Sequence, residues 1–168
     1  MRLFFALWPP AKTAHALAQW TQRVAHETGG SPTASDKIHL TLAFLGDADP
    51  ANAFNAAQRV QGARHVLHID HADYWKHNKV LWVGPHTMPP ALAALVTQLH
   101  GALKDRGFVL EDRPFAAHIT LLRKGHAPNA LPLLPKIDWP VNEMLLVRSH
   151  TSPKGSTYEP VERFPLTG

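Results

Sequence analysis

Two hydrophobic periods run along this chain, and they recur in the same order in each half. From Arg2 to Trp8 the residues are apolar or aromatic almost without break, which reads as a buried strand stopped by Pro9 and Pro10. Over Ala11–Thr28 the larger apolar residues Leu17, Trp20 and Val24 recur at helical spacing, and Gly29-Gly30 ends the pattern. A polar loop then leads to residues 38–45, an alternating strand closed by Gly46-Asp47. The second half repeats this series. Residues 80–83 form an apolar strand, Pro89-Pro90 opens a helix striped by Leu92, Leu95, Val96, Leu99 and Leu103, and Gly107 ends it. Residues 115–122 read as the matching strand. Pro10 stands 29 residues before His39 and Pro90 stands 28 before His118, so an internal duplication is the economical explanation.

The connecting segments carry weaker signals. Residues 51–60 predict a short helix and residues 65–75 a strand or ribbon. The proline-rich stretch 128–140 reads as a connection between sheet elements rather than an interdomain linker. Residues 141–149 predict a strand, Pro153-Lys154-Gly155 a turn, and residues 158–164 a last strand interrupted by Pro160. Strands and helices alternating in this way give one α+β or α/β domain over residues 1–168, built of two similar lobes.

Each half delivers the same short motif. Side chains two apart on a strand share a face, so His39 and Thr41 project together while Leu40 and Leu42 point into the lobe. His118, Ile119, Thr120 and Leu121 repeat the arrangement. A single His-x-Thr carries little weight, because a strand histidine is more often structural or solvated. A His-x-Thr-Leu match is expected by chance in roughly one chain in ten at this histidine content, but two in on the order of one in a few hundred. If the lobes face each other, two imidazoles and two hydroxyls meet across one cleft. That set suits phosphoryl transfer: one imidazole accepts a proton from the attacking oxygen, the other protonates the leaving oxygen, and the threonines hydrogen-bond the phosphoryl oxygens. Histidine serves both roles because its ordinary pKa lies near neutrality.

Composition narrows the field around this motif. The chain has no cysteine, which removes disulfides, thiolate metal sites and Cys/His zinc modules, and suits a reducing cytoplasm. No stretch approaches the twenty or so apolar residues that a membrane span requires, and the short apolar start is broken by prolines before any cleavage site. A soluble cytoplasmic protein without a membrane partner is expected. A net charge of +4 tilts modestly toward anionic partners. The histidines at 65, 68, 71 and 77 invite a metal reading, but in an extended segment His68 faces away from His65 and His71, and no carboxylate-rich pattern accompanies them. No metal and no cofactor are expected. A His-x-His-x-His run of the histidine-triad kind is absent.

At these residues the chain resembles the 2H phosphoesterases, and among them the RNA 2′,3′-cyclic phosphodiesterases, also described as 2′-5′ RNA ligases. The likeness spans nearly the whole chain, carried by RLFFALWP at the start, IHLTLAFLG at 38–46, HITLLR at 118–123 and the tail from Ser149 through Gly155 to Tyr158. The resemblance implies an α+β fold of two lobes related by a pseudo-twofold around a central cleft. It implies metal-free hydrolysis of a terminal 2′,3′-cyclic phosphate to a 2′-phosphomonoester, with reverse 2′-5′ ligation as an accompanying activity. It further implies His39 as proton donor and His118 as proton acceptor, with RNA ends, tRNA fragments among them, as partners of a monomeric enzyme.

Three further residues follow from that likeness. Arg123, five after His118, stands where such enzymes carry an arginine, and its forked donors suit a phosphate. Phe44, five after His39, is placed to stack a base, and Tyr158 is a weaker candidate for substrate contact. Two positions depart from the family pattern: Ala117 replaces a usual proline, and the loop from Thr33 to Lys37 lacks the arginine and aromatic often found there. Other readings keep the fold but change the substrate, to an ADP-ribose cyclic phosphate or a 2′-5′ oligonucleotide, or keep RNA but drop catalysis, as in a binding module. Phe44-Leu45-Gly46 and Arg123 favour the RNA-end reading.

Overall fold

A computed structural model describes residues 1–168. In chain order the elements are β1 (Arg2–Leu7), α1 (Ala11–Thr28), β2 (Ser31–Pro32), a 3-10 turn (Ser35–Lys37), β3 (Leu40–Asp47), α2 (Pro50–Ala57), β4 (His65–Ile69) and β5 (His71–Trp75). There follow β6 (Val80–Gly84), α3 (Pro90–Asp105), β7 (Ile119–Arg123), β8 (Ile137–Val141), β9 (Glu143–Ser152) and β10 (Gly155–Pro165). The main sheet runs β10-β9-β1-β3-β7-β6-β5, with β2 added to β7, and β4 pairs with β8 in a second, two-stranded sheet. Centred on β3 and β7, the order is symmetric: β1 flanks β3 as β6 flanks β7, and a helix joins each pair in sequence.

The two long helices start alike because proline ends each preceding strand. Pro10 and Pro89 accept the first helical bonds, from Ala14 and Ala93 at 3.0 Å each. A proline there sacrifices no backbone donor. The helices stop at Gly29 and shortly before Gly107, both left-handed. Gly30 serves close approach, since a Cβ there would lie 2.7 Å from the Arg123 carbonyl oxygen. That proximity lets β2 pair with the end of β7.

One face of the sheet is covered and the other is open, and the parity of β1 shows which is which. Leu3, Phe5 and Leu7 are fully buried in a core of 31 residues that includes Leu17, Trp20 and Val24 of α1 and Leu92, Leu95, Leu99 and Leu103 of α3. Burying one such side chain stabilises by about 1.5–3 kcal/mol. On the opposite face Phe4 and Ala6 join Leu145 and Val147 in a second cluster, against which Trp8 and Tyr158 pack. β1 is apolar throughout because on the otherwise open face, too, its own side chains are covered locally, by Leu145, Val147, Trp8 and Tyr158.

Several boundaries differ from the sequence expectation. His39 and His118 immediately precede β3 and β7 rather than lying within them. Residues 65–75 form two strands in different sheets, divided at Asp70, whose carboxylate accepts the His86 backbone N–H at 2.7 Å. The proline-rich connection ends in β8, whose Ile137, Trp139 and Val141 are buried, and Val141 belongs to that strand rather than to β9. The short helix begins at Pro50 and ends at Ala57.

Candidate active site

The open face of the sheet brings the two motifs together. Leu40 pairs with Ile119 across β3 and β7, so the residues just before them, His39 and His118, stand beside the same central seam. Register then places Thr41 opposite Ala6 and Thr120 opposite Trp82, both on the open face. A β-bulge follows each threonine. Phe5 pairs with Ala43 and Ala6 with Thr41, so Leu42 is the extra residue. Leu81 pairs with Leu122 and Trp82 with Thr120, so Leu121 is the extra residue of β7. A bulge shifts the alternation by one. Phe44, paired with Phe4, and Arg123, paired with Val80, therefore return to the face that carries the histidines, although simple parity would turn them inward.

The bulges are held across the halves. His100 of α3 donates from Nε2 to the Leu42 carbonyl at 2.8 Å, while Thr33 N–H donates to the Leu121 carbonyl at 2.8 Å and its hydroxyl to the Thr120 carbonyl at 3.1 Å. Each motif strand is thus positioned by a residue from the other half of the chain.

The two imidazoles are oriented in the same way. His39 Nδ1 donates to the Lys37 carbonyl at 2.8 Å, and His118 Nδ1 to the Ala116 carbonyl at 2.9 Å. With Nδ1 holding the proton, the neutral ring presents its lone pair at Nε2, the nitrogen left for a ligand. His65 makes the same contact with Ala63 at 2.9 Å, so this bond is a local habit of a histidine entering a strand. What distinguishes the other two is their aromatic surroundings. The Trp8 ring stacks on His39 at 4.6 Å and 10°, with Phe4 at 5.2 Å and Tyr158 edge-on at 5.2 Å. Trp75 stands 4.8 Å from His118, and Trp82 stands 6.4 Å away.

That enclosure has an electrostatic consequence. Burial is the main cause that pushes the pKa of His39 below its ordinary 6.5; the Lys37 carbonyl opposes this, and the charges of Arg123 and His118 add to the lowering. The protonated ring is therefore a stronger acid than an ordinary imidazolium, and an anion bound beside it would favour that protonated form.

Arg123 is exposed on this face, and Phe44 is 48% exposed with the Arg2 guanidinium 5.3 Å above its ring. Tyr158 lies edge-on to Trp8 as well as to His39. Trp8, Trp75 and Trp82 were not singled out by sequence reasoning. Trp8 shares its parity with Phe4 and Ala6, the one sequence signal that could have marked it. The histidines at 65, 68, 71 and 77 are divided between elements: His68 pairs with Asp138 at 2.6 Å on the small sheet, whereas His71 packs against Trp82 and His86. A groove of about 490 Å³ lies beyond Trp8 and Tyr158, bordered by Trp139 and Arg163, and neither His39 nor His118 lines it. The paired imidazoles, not this groove, mark the place where proton transfer is possible.

The duplication also appears in comparison with known proteins. The model of the LigT like phosphoesterase family matches residues 7–82 and again residues 83–158, one copy for each half. The RNA 2′,3′-cyclic phosphodiesterase of Escherichia coli is 33% identical over 171 residues, covering 99% of this chain and 97% of that protein. A protein of the same name from Thermus thermophilus is 32% identical over 187 residues, covering 100% and 91%. The crystal structure of Escherichia coli LigT complexed with 3′-AMP superposes with a TM-score of 0.91 at 31% identity, covering 99% of this chain and 98% of that one. Two copies of one family model, each containing a His-x-Thr on the open face of a shared sheet, place this chain in the LigT-like family of 2H phosphoesterases.

Proposed function

We propose that this chain hydrolyses the 2′,3′-cyclic phosphate at an RNA end to a 2′-phosphomonoester, with the two histidines as acid and base. The observation that carries the reading is that the Leu40–Ile119 pairing brings two histidines to one seam of the open face, each packed against a tryptophan ring and each with Nδ1 held by a carbonyl, leaving Nε2 for chemistry. The cyclic phosphate lies between the rings. Water attacks phosphorus as its proton passes to Nε2 of His118, the bond from phosphorus to O3′ breaks, and O3′ takes the proton from Nε2 of His39. The product holds a 2′-phosphate and a 3′-hydroxyl, and solvent restores the two protonation states. Thr41 and Thr120 donate to the non-bridging oxygens, and Arg123 neutralises their charge.

The lowered pKa of His39 fits the acid role through the substrate's charge. In the free protein burial and the Arg123 charge lower the pKa of the ring, and the arriving phosphodiester anion acts in the opposite sense. Phe44, exposed and on the same face, offers its ring to a base. The named activity of relatives about one-third identical supports the substrate class. The deciding experiment is incubation with an oligoribonucleotide ending in a 2′,3′-cyclic phosphate, with the phosphate located in the product by NMR. A 2′-phosphate is expected; a 3′-phosphate or an intact ring would overturn the reading.

A further inference from the structure

We infer that the rim where β6 and β7 end is a track for the single-stranded RNA leading to the reacting nucleotide, with Lys76, Lys79 and Lys124 holding successive backbone phosphates. The inference rests on the function proposed above and adds a surface to it. Lys76 and Lys79 flank the turn between β5 and β6, Lys124 follows β7, and all three are exposed beside Arg123. The five ion pairs of the chain use other groups, so these cations face solvent without a carboxylate partner. The one acid of β5, Asp73, directs Oδ1 to the Tyr74 backbone N–H at 2.7 Å.

The backbone at this rim points the same way. Lys79 and Lys124 are the two non-glycine residues of the chain with positive φ, at 55° and 65°. They are joined directly, the Lys124 N–H donating to the Lys79 carbonyl at 3.0 Å. Left-handed backbone is unfavourable for an ordinary residue, and glycine or asparagine would relieve it. Lysine at both positions retains two charges at a place where stability alone favours neither. Adjacent strands lie ~4.8 Å apart, so the long side chains can spread to neighbouring phosphates.

The rim is continuous with the catalytic cleft. Val80 pairs with Arg123 on one side and with Trp75 on the other, and Trp75 is the ring beside His118. The opposite end of the cleft has a different character: there the Arg2 guanidinium lies 5.3 Å from the centre of the exposed Phe44 ring, and the N-terminal amine pairs with Asp47 at 3.4 Å. Lys76, Lys79, Lys124 and Arg123 thus gather four cations on the β6–β7 side of the reacting phosphate, against Arg2 and the Asp47-paired amine at the other end.

The test compares wild type with the triple variant Lys76→Gln/Lys79→Gln/Lys124→Gln on two substrates, 2′,3′-cyclic AMP and a ten-nucleotide RNA ending in a 2′,3′-cyclic phosphate. The variant is expected to keep kcat/KM for the mononucleotide within twofold and to lose on the order of 100-fold on the RNA at 50 mM salt. For a single strand each lost phosphate contact removes ~0.7 from the slope of log affinity against log salt, so three should lower it by about 2. Equal losses on both substrates, or an unchanged RNA rate and salt slope, would overturn the track. If wild type turns over neither substrate, the proposed activity fails, and anisotropy of a fluorescein-labelled RNA then decides the surface alone. Weaker binding by the variant with a reduced salt slope sustains it, and equal binding overturns it.

Discussion

Replacing Trp8 tests how the fold prepares His39 for its role. The ring acts by two routes: it stacks on the imidazole at 4.6 Å, and its Nε1–H donates at 3.2 Å to the carbonyl of Asp36, in the turn whose next residue, Lys37, accepts the His39 Nδ1 proton. Stacking contributes about 0.5–1.5 kcal/mol and a hydrogen bond a similar amount. Trp8→Phe, which keeps a stacking face but loses the donor, should therefore cost about 1 kcal/mol in holding the ring, or about fivefold in kcat/KM. Trp8→Ala loses both contacts and should cost about 2 kcal/mol, or about 30-fold. Burial is the main cause of the lowered His39 pKa, so both substitutions should raise it, alanine more than phenylalanine. An acid with a higher pKa stays protonated to higher pH. The deficit should then be greatest at low pH, where His39 is protonated in every form, and smaller above it. The assay is kcat/KM for 2′,3′-cyclic AMP across pH 4.5–9, with a thermal scan to confirm folding. Equal deficits in the two variants, constant across pH, would refute the reasoning.

Arg123→Gln should weaken substrate binding and turnover together, by about 2–3 kcal/mol in kcat/KM, as expected for a lost charge-assisted contact to phosphate. It should also raise the pKa of His39 by removing a lowering charge, visible in the pH profile of kcat/KM. Gly84→Ala should destabilise the fold and slow turnover, because its Cβ would lie 2.5 Å from the carbonyl oxygen of Ala117, the residue before His118. A cost of about 1–3 kcal/mol would lower Tm by roughly 2–12 °C in a scanning calorimeter. Activity should persist in excess EDTA, since the proposed acid, base and phosphate clamp are all side chains; loss restored by zinc or manganese would contradict this.

The sequence pattern was clearest where one residue type enforces one conformation. Pro10 and Gly29 bracket α1, and the strip of Leu92, Leu95, Val96, Leu99 and Leu103 marks the buried face of α3, because proline, glycine and helical periodicity act locally. The two His-x-Thr motifs were legible for the same reason, since i and i+2 share a strand face whatever the partner strand. The aim of Phe44 and Arg123 was not deducible from spacing. Each depends on a bulge whose carbonyl is held by a distant group, His100 for Leu42 and the Thr33 N–H for Leu121. The partition of residues 65–75 between two sheets was hidden as well, because both strands alternate similarly and only their partners, β8 and β6, differ. Trp8 looked like one more core residue of an apolar strand. Its place beside His39 depends on the sheet having a second face.

The central claim is that His39 protonates the leaving oxygen while His118 activates water, and a change of leaving group separates the two. On the natural cyclic phosphate, His39→Ala and His118→Ala should each lose on the order of 10²–10⁴ in kcat. The double variant should lose little more than either, because the pair acts in one concerted step. A nitrophenyl phosphodiester departs without needing a proton. On that substrate His39→Ala should recover most of the wild-type rate, whereas His118→Ala should remain slow. Rescue of His118→Ala instead would reverse the assignment, and natural-substrate rates left intact by both substitutions would contradict two-histidine catalysis altogether.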